Sequence, residues 1–138
     1  NDATGRALRA ALYTFRGEGK KAVQDAERVL HLAPLDPNRF FFQSLAAGAS
    51  LADCDNERAV TLAKNSFRLN RSHTSTLRVK AVAEWRLGLH QDAHDTMAML
   101  LKKHPDFTIG WWLRNSPASD YPIGKQFAQS LRELGVPE

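Results

Sequence analysis

Few residues in this sequence have a type and a spacing that could do chemistry. His90 and His94 lie four apart, which puts two imidazoles on one face of a helix and can bind zinc. Gln91 stands where a zinc protease carries its glutamate, and the sequence offers no third ligand. His31, His73 and His104 fall at three different turns, so the histidines read as ordinary surface residues. Gly17-Glu18-Gly19-Lys20 superficially has the look of a phosphate loop. Such a loop needs a preceding strand, a longer glycine frame and a Ser or Thr after the lysine. Lys21 follows here and both flanks are helical, so the segment reads as an interhelical turn. Ser, His and Asp occur without a Gly-x-Ser-x-Gly elbow. Cys54 is the single cysteine, which rules out an internal disulfide. Asp53 and Asp55 beside it oppose the thiolate that a nucleophile requires. With no metal set and no cofactor motif, the chain reads as non-catalytic.

The elements that would carry these residues are all helical. Apolar residues at helical spacing predict helices over about 3–16, 18–32, 37–52, 56–69, 74–87 and 90–103. Gly17 and Gly88 end the first and fifth. Asp36-Pro37 reads as an N-cap followed by proline at the first helical position. Asp106 is expected to cap a short helix through Ile109, Trp111, Trp112 and Leu113. Residues 122–134 carry one apolar stripe, Ile123, Phe127, Leu131 and Leu134, as a terminal cap needs. No β pattern is visible.

A chain of 138 residues is one domain by length, 1–138. It begins at Asn1 rather than at a methionine, which reads as a piece of a longer protein. No apolar run approaches the roughly 20 residues that span a bilayer. The lone cysteine fits a reducing compartment, so a cytoplasmic location is expected. The net charge is +4. Lys20, Lys21, Arg28, Arg68, Arg71, Lys102 and Lys103 lie mostly on the second helices, several near helix C-termini, and read as a solvated outer face. Nucleic-acid binding therefore ranks last among the partners.

One pattern recurs three times. Gly17, Ala22 and Pro34 share their spacing with Cys54, Ala59 and Arg71, and with Gly88, Ala93 and Pro105. The shift is 37 residues and then 34. Small residues Ala10, Ala47 and Ala81 fall where two helices of a hairpin would touch, and Leu30, Phe67 and Leu101 are large residues that would fill the hollow between hairpins. This pattern resembles the tetratricopeptide repeat over residues 5–105. It departs from it in having Arg6, Gln43 and Leu77 for the usual aromatic, Arg71 for a proline, and three extra residues between the first two repeats. The resemblance implies an all-α solenoid of three hairpins, at about 3–36, 37–72 and 73–105, closed by a short helix and a capping helix over 106–138.

A narrower resemblance rests on three short runs: Leu35-Asp36-Pro37-Asn38-Arg39-Phe40-Phe41-Phe42, Leu69-Asn70-Arg71-Ser72-His73, and Leu131-Arg132-Glu133-Leu134-Gly135-Val136-Pro137-Glu138. They are similar to the C-terminal tetratricopeptide regions of bacterial adenylate/guanylate cyclases and of related winged-helix transcriptional regulators. That resemblance implies a regulatory module for protein–protein interaction or self-association in signal transduction, with any active site upstream. In tetratricopeptide stacks the first helix of each hairpin lines a concave groove. The resemblance maps that groove onto Thr4, Ala7, Ala11 and Thr14, then Phe41, Ser44, Gly48 and Leu51, then Ser75, Arg78, Val82 and Trp85. The lysines and asparagines with which some relatives grip acidic chaperone tails are missing there, so an apolar segment of a partner, or the chain's own Phe107–Leu113, is the expected occupant. Trp111-Trp112 cannot both face one way on a helix, so core packing with one half-exposed ring is the expectation, and an exposed aromatic patch used for self-association, as a homodimer, is the alternative.

Overall fold

A computed structural model describes residues 2–138. Eight helices follow one another: α1 (Asp2–Phe15), α2 (Gly19–Leu32), α3 (Arg39–Ala52), α4 (Asn56–Leu69), α5 (Thr74–Arg86), α6 (His90–Lys103), α7 (Ile109–Asn115) and α8 (Pro122–Glu133). Among the described residues there is no strand. Helices α1 and α2, α3 and α4, and α5 and α6 pair as hairpins, and α2 meets α3 as α4 meets α5. Contacts from α1 to α3 and from α3 to α5 align the first helices in series, which makes the stack a solenoid.

The repeat positions are the places of closest approach. Ala22, Ala47, Ala59, Ala81 and Ala93 are 0% exposed, and Ala10 is 1%. A methyl group at the crossing lets two backbones come together, and the large residues then pack in the hollows beside it. Leu30, Phe67 and Leu101 are half-buried against those cores.

The three intra-hairpin turns share one hydrogen-bond geometry. Gly17, Cys54 and Gly88 all stand at positive φ, at +76°, +62° and +87°. The next N–H reaches back five residues each time: Glu18 to Tyr13 O at 2.8 Å, Asp55 to Ser50 O at 2.8 Å, and Leu89 to Glu84 O at 2.9 Å. This is the glycine-closed helix end, which satisfies carbonyls that the helix leaves free. Gly135 closes α8 in the same way. Cys54 is thus the one non-glycine residue in a left-handed turn among the described residues. The second glycine of the first turn has a different cause. A Cβ on Gly19 would lie 2.6 Å from Ala52 O, so α2 can start against the end of α3 only without one.

Two helix starts differ from expectation. Helix α3 begins at Arg39, not Pro37. The Asp36 carboxylate accepts from Asn38 N at 2.8 Å, making a local turn of Pro37 and Asn38 before the helix opens. Helix α7 is capped by Thr108, not Asp106: Thr108 Oγ1 accepts from Trp111 N at 3.0 Å. A residue caps only from the position just before the helix, and Phe107 and Thr108 still precede it.

A buried polar cluster joins α5 to α6. Lys80 Nζ donates to Glu84 Oε2 at 3.1 Å and to Thr96 Oγ1 at 2.9 Å, and the Thr96 hydroxyl donates to Glu84 Oε1 at 2.6 Å. Lys80 is 8% exposed and Glu84 1%. Each charge needs the other, because a lone buried ion keeps its desolvation cost without the attraction.

Lys80→Ala is expected to lose about 3–5 kcal/mol in urea unfolding, whereas Lys80→Met with Glu84→Leu should fall within about 1–2 kcal/mol of the parent. Cys54→Gly is expected to raise stability by about 0.5–1 kcal/mol, since relief of a left-handed L-residue, about 1–2 kcal/mol, exceeds the added freedom of the unfolded chain, about 0.4–1 kcal/mol. The same urea curves check it.

Candidate functional site

The inward faces of α1, α3 and α5 and the C-terminal segment together bound a cavity of about 300 Å³. Its floor comes from the three first helices, with Ala11, Gly48 and Val79 representing each. Its other wall is Trp111 and Trp112 of α7, the loop 116–118, and Ile123 and Phe127 of α8. The chain therefore folds back over its own concave face. Helix α8 is tied to α5 by Arg86 Nε donating to Ser130 Oγ at 3.0 Å and by Trp85 Nε1 donating to Glu133 Oε1 at 2.9 Å. The strand-like tail 136–138 returns to α7, where Ile109 N donates to Pro137 O at 2.8 Å and Gly110 N to Glu138 O at 3.0 Å. Gly124 permits the tight loop: a Cβ there would sit 1.9 Å from Ala118 O.

The structure brings some of the sequence-derived groove residues together and separates others. Ser44, Gly48, Leu51 and Arg78 all line the cavity, as do Ala11, Thr14 and Ser75. Phe41 does not; its ring lies at the rim beside Phe42 and His73, 37% exposed. Val82 is fully buried, in the same cluster as Trp112, Ala128 and Leu131, because α8 packs on that side of α5. Ala7 is likewise buried, with Val29 and Phe42. Trp85 is turned away from the cavity. It stacks on His90 with centroids 4.1 Å apart and meets His94 edge-on at 5.7 Å. The two histidines four apart are thus brought to an indole face. Among the described residues no group of three or more His, Cys, Asp or Glu is placed to hold a metal ion.

Of the paired tryptophans one is buried and the other half-buried. Trp112 is buried and stacks on Phe127, with centroids 5.0 Å apart and an interplanar angle of 17°. Trp111 packs edge-on against His104 at 4.5 Å and against Phe107 at 5.7 Å. The exposed aromatic patch expected from two adjacent tryptophans is not formed. One ring faces α8 and the other faces the turn before α7, so a helix of seven residues has neighbours on both sides.

Sequence reasoning missed Arg86, Val79 and Phe127 as cavity residues. Arg86 had little signal, since it lies eight residues after Arg78 and so about 80° around the helix from it. Phe127 had none, because its place depends on where α8 returns. A chain of polar contacts leads from the cavity rim inward: Phe40 O accepts from Ser66 Oγ at 2.6 Å, Ser66 meets Thr76 Oγ1 at 2.9 Å, and Thr76 meets His73 Nδ1 at 2.7 Å. Burial, with some repulsion from Arg78, holds the His73 imidazole below its ordinary value.

The arrangement defines a class: a helical-hairpin solenoid with a ligand-sized hollow on its concave face. The particular fold is that of tetratricopeptide-repeat domains. The Sgt2 TPR domain from Aspergillus fumigatus superposes with a TM-score of 0.68 at 15% identity, over 98% of this chain and 82% of that one. The first TPR of Spaghetti (RPAP3), bound to the HSP90 peptide SRMEEVD, gives 0.67 at 18% identity, over 95% and 96%. The first TPR domain of human RPAP3 gives 0.67 at 16% identity, over 96% and 94%. No protein-family model matches the sequence, and no curated protein matches it. No helix is long and apolar enough to cross a membrane among the described residues.

Because folded His73 gives up its proton more readily than unfolded His73, the unfolded chain binds more protons as pH falls below about 6.5, and stability drops there. Urea midpoints measured between pH 7.5 and 5 should fall on acidification in the parent, with a slope from this residue no steeper than about 1.4 kcal/mol per pH unit. A His73→Asn variant should show a flatter profile over the same window.

Proposed function

We propose that this domain is a protein-interaction module that holds a peptide segment of a partner protein against its concave face. The observation that carries the reading is the run of apolar side chains left open on the first helices. Leu8 is 58% exposed and Phe41 37%. Leu8 and Leu45 hold equivalent repeat positions, 37 apart, and Phe41 precedes Leu45 by one helical turn. Leu45 in turn lines the cavity. A contiguous apolar path on a solvated face is what a peptide-binding groove requires. The RPAP3 structure, which carries a peptide, supports the same use of this fold.

The finer reading is regulatory: the C-terminal part of a bacterial signalling protein, cytoplasmic, such as an adenylate/guanylate cyclase or a winged-helix regulator. Its support is the similarity of the runs at 35–42, 69–73 and 131–138 to those regions. A catalytic or winged-helix domain encoded upstream in the full gene is the observation that would decide it. A second copy of this chain is the other occupant the apolar face admits.

Selection of random peptides on the immobilised domain is expected to enrich segments rich in large apolar residues. Leu8→Asp and Phe41→Asp should weaken the enriched peptides by about tenfold or more; Leu8→Asp should leave stability within about 0.5 kcal/mol, while Phe41→Asp, which loses its packing on Phe42 and His73, should cost about 1–2 kcal/mol and still leave the domain folded. No enrichment, or peptides indifferent to both substitutions, overturns the peptide reading; a mass that doubles with concentration and falls in both variants assigns the face to a second copy.

A further inference from the structure

The recessed part of the concave face carries an imbalance of charge. Arg78 and Arg86 both reach the cavity, and none of its lining residues is an Asp or Glu. Two other withdrawn charges are neutralised. Asp25 is gripped by Arg9 through two hydrogen bonds of 2.6 and 2.7 Å, and Lys80 is paired with Glu84. Arg78 has no such partner: no carboxylate lies within ion-pair distance of it among the described residues. Its Nη2 donates to Ser75 Oγ at 2.8 Å, and its guanidinium lies over the rings of Phe107 and Trp111 at 5.9 and 5.6 Å. Those contacts orient the fork and leave most of its donors without an acceptor. Burial disfavours the charged form, which no neighbouring acid offsets. Arg86 has no carboxylate within ion-pair distance either among the described residues, but Ser130 accepts its Nε–H and the field of Glu133 offsets part of the cost of its burial.

The chemistry of a matching ligand follows from these walls. A planar guanidinium with free donors is complementary to a carboxylate, which it binds through two parallel hydrogen bonds. The rest of the wall is mostly aliphatic and aromatic carbon, with Thr14, Ser44, Ser75, Asn115 and Ser116 as its uncharged polar members, so the body of the ligand must be largely apolar. A volume of about 300 Å³ stands at the lower end of small-molecule pockets. A nucleotide or polyphosphate would set several charges and a polar sugar on this largely apolar surface, where Arg78 and Arg86 are the charged groups and Arg86 already donates to Ser130. A cation would face both arginines.

We infer that the half-open hollow beneath α7 and α8 is a binding site for a small apolar monocarboxylate, with Arg78 holding the carboxylate and Gly48, Val79, Trp111 and Phe127 holding the apolar body. The site shares Leu45 with the apolar path but not Leu8 or Phe41, and its test uses no peptide, so the two readings fail separately.

Decanoate is the probe, with decanol, decylamine and acetate as controls, followed by calorimetric titration and by the emission of Trp111 and Trp112. Decanoate is expected to bind saturably and shift the emission, with decanol and decylamine weaker by about tenfold or more and acetate without effect. Arg78→Gln should weaken decanoate by about tenfold or more and leave decanol unchanged. Gly48→Leu fills the hollow while keeping Arg78, and leucine is the better helix former, so this variant should fold and lose decanoate. Equal binding of decanol and decanoate, undiminished binding by a folded Arg78→Gln, or retained binding by Gly48→Leu would each overturn the assignment, as would the absence of saturable decanoate binding. Should Arg78→Gln not fold, the Gly48→Leu result and the decanol comparison decide.

Discussion

Alanine at the helix crossings is the constraint on which the rest of this structure depends. Six of them, at equivalent places in three hairpins, leave almost no surface to solvent. A larger side chain at any one would push the two backbones apart, and the hairpins on either side would lose their stacking. Because each hairpin buries its apolar face only against its neighbours, the stack is cooperative along its length. The left-handed turns serve the same end. A helix that stops with its carbonyls bonded back on themselves can reverse within three or four residues, which keeps the second helix in register with the first.

That stacking makes a curved face, and the C-terminal segment uses it. Helix α8 lies against α5 and covers Val82, while Ile123 approaches the α1–α2 turn, 3.9 Å from where a Cβ on Gly17 would be. The segment closes part of the groove and leaves the remainder as a hollow. The division has an electrostatic consequence. On the covered side, Ser130 accepts from Arg86 and the field of Glu133 favours its charge from beyond ion-pair distance. On the side left hollow, Arg78 has a serine and two aromatic rings. One helix therefore carries two arginines whose surroundings differ because the returning helix reaches only one of them.

The sequence was legible where a local rule was at work. The glycines at 17 and 88 mark turns because only a residue without a Cβ takes a left-handed conformation freely. The equivalence of Cys54 to them is visible from spacing alone, and the structure adds that it adopts the same φ. Helix starts were less legible. Proline after aspartate signals a helix start, yet an Asx turn uses the same two residues, and which forms depends on where α3 must pack. The buried triad of Lys80, Glu84 and Thr96 was illegible for a similar reason. Lysine and glutamate four apart look like a surface pair on any helix, and only the approach of α6 takes them out of water.

By itself the amino-acid order determined the helices, their pairing and their serial stacking. Those follow from periodicity, small residues at crossings and backbone-permissive turns, all of which act between residues close in the chain or at a fixed repeat. The tertiary structure alone decided which inward-facing residues still meet solvent. Val82 and Gly48 occupy the same repeat position, but one is sealed beneath α8 and the other lines a hollow. No local rule separates them, because the difference is made by a helix more than forty residues further on, and its landing place is set by the summed packing of the whole concave face.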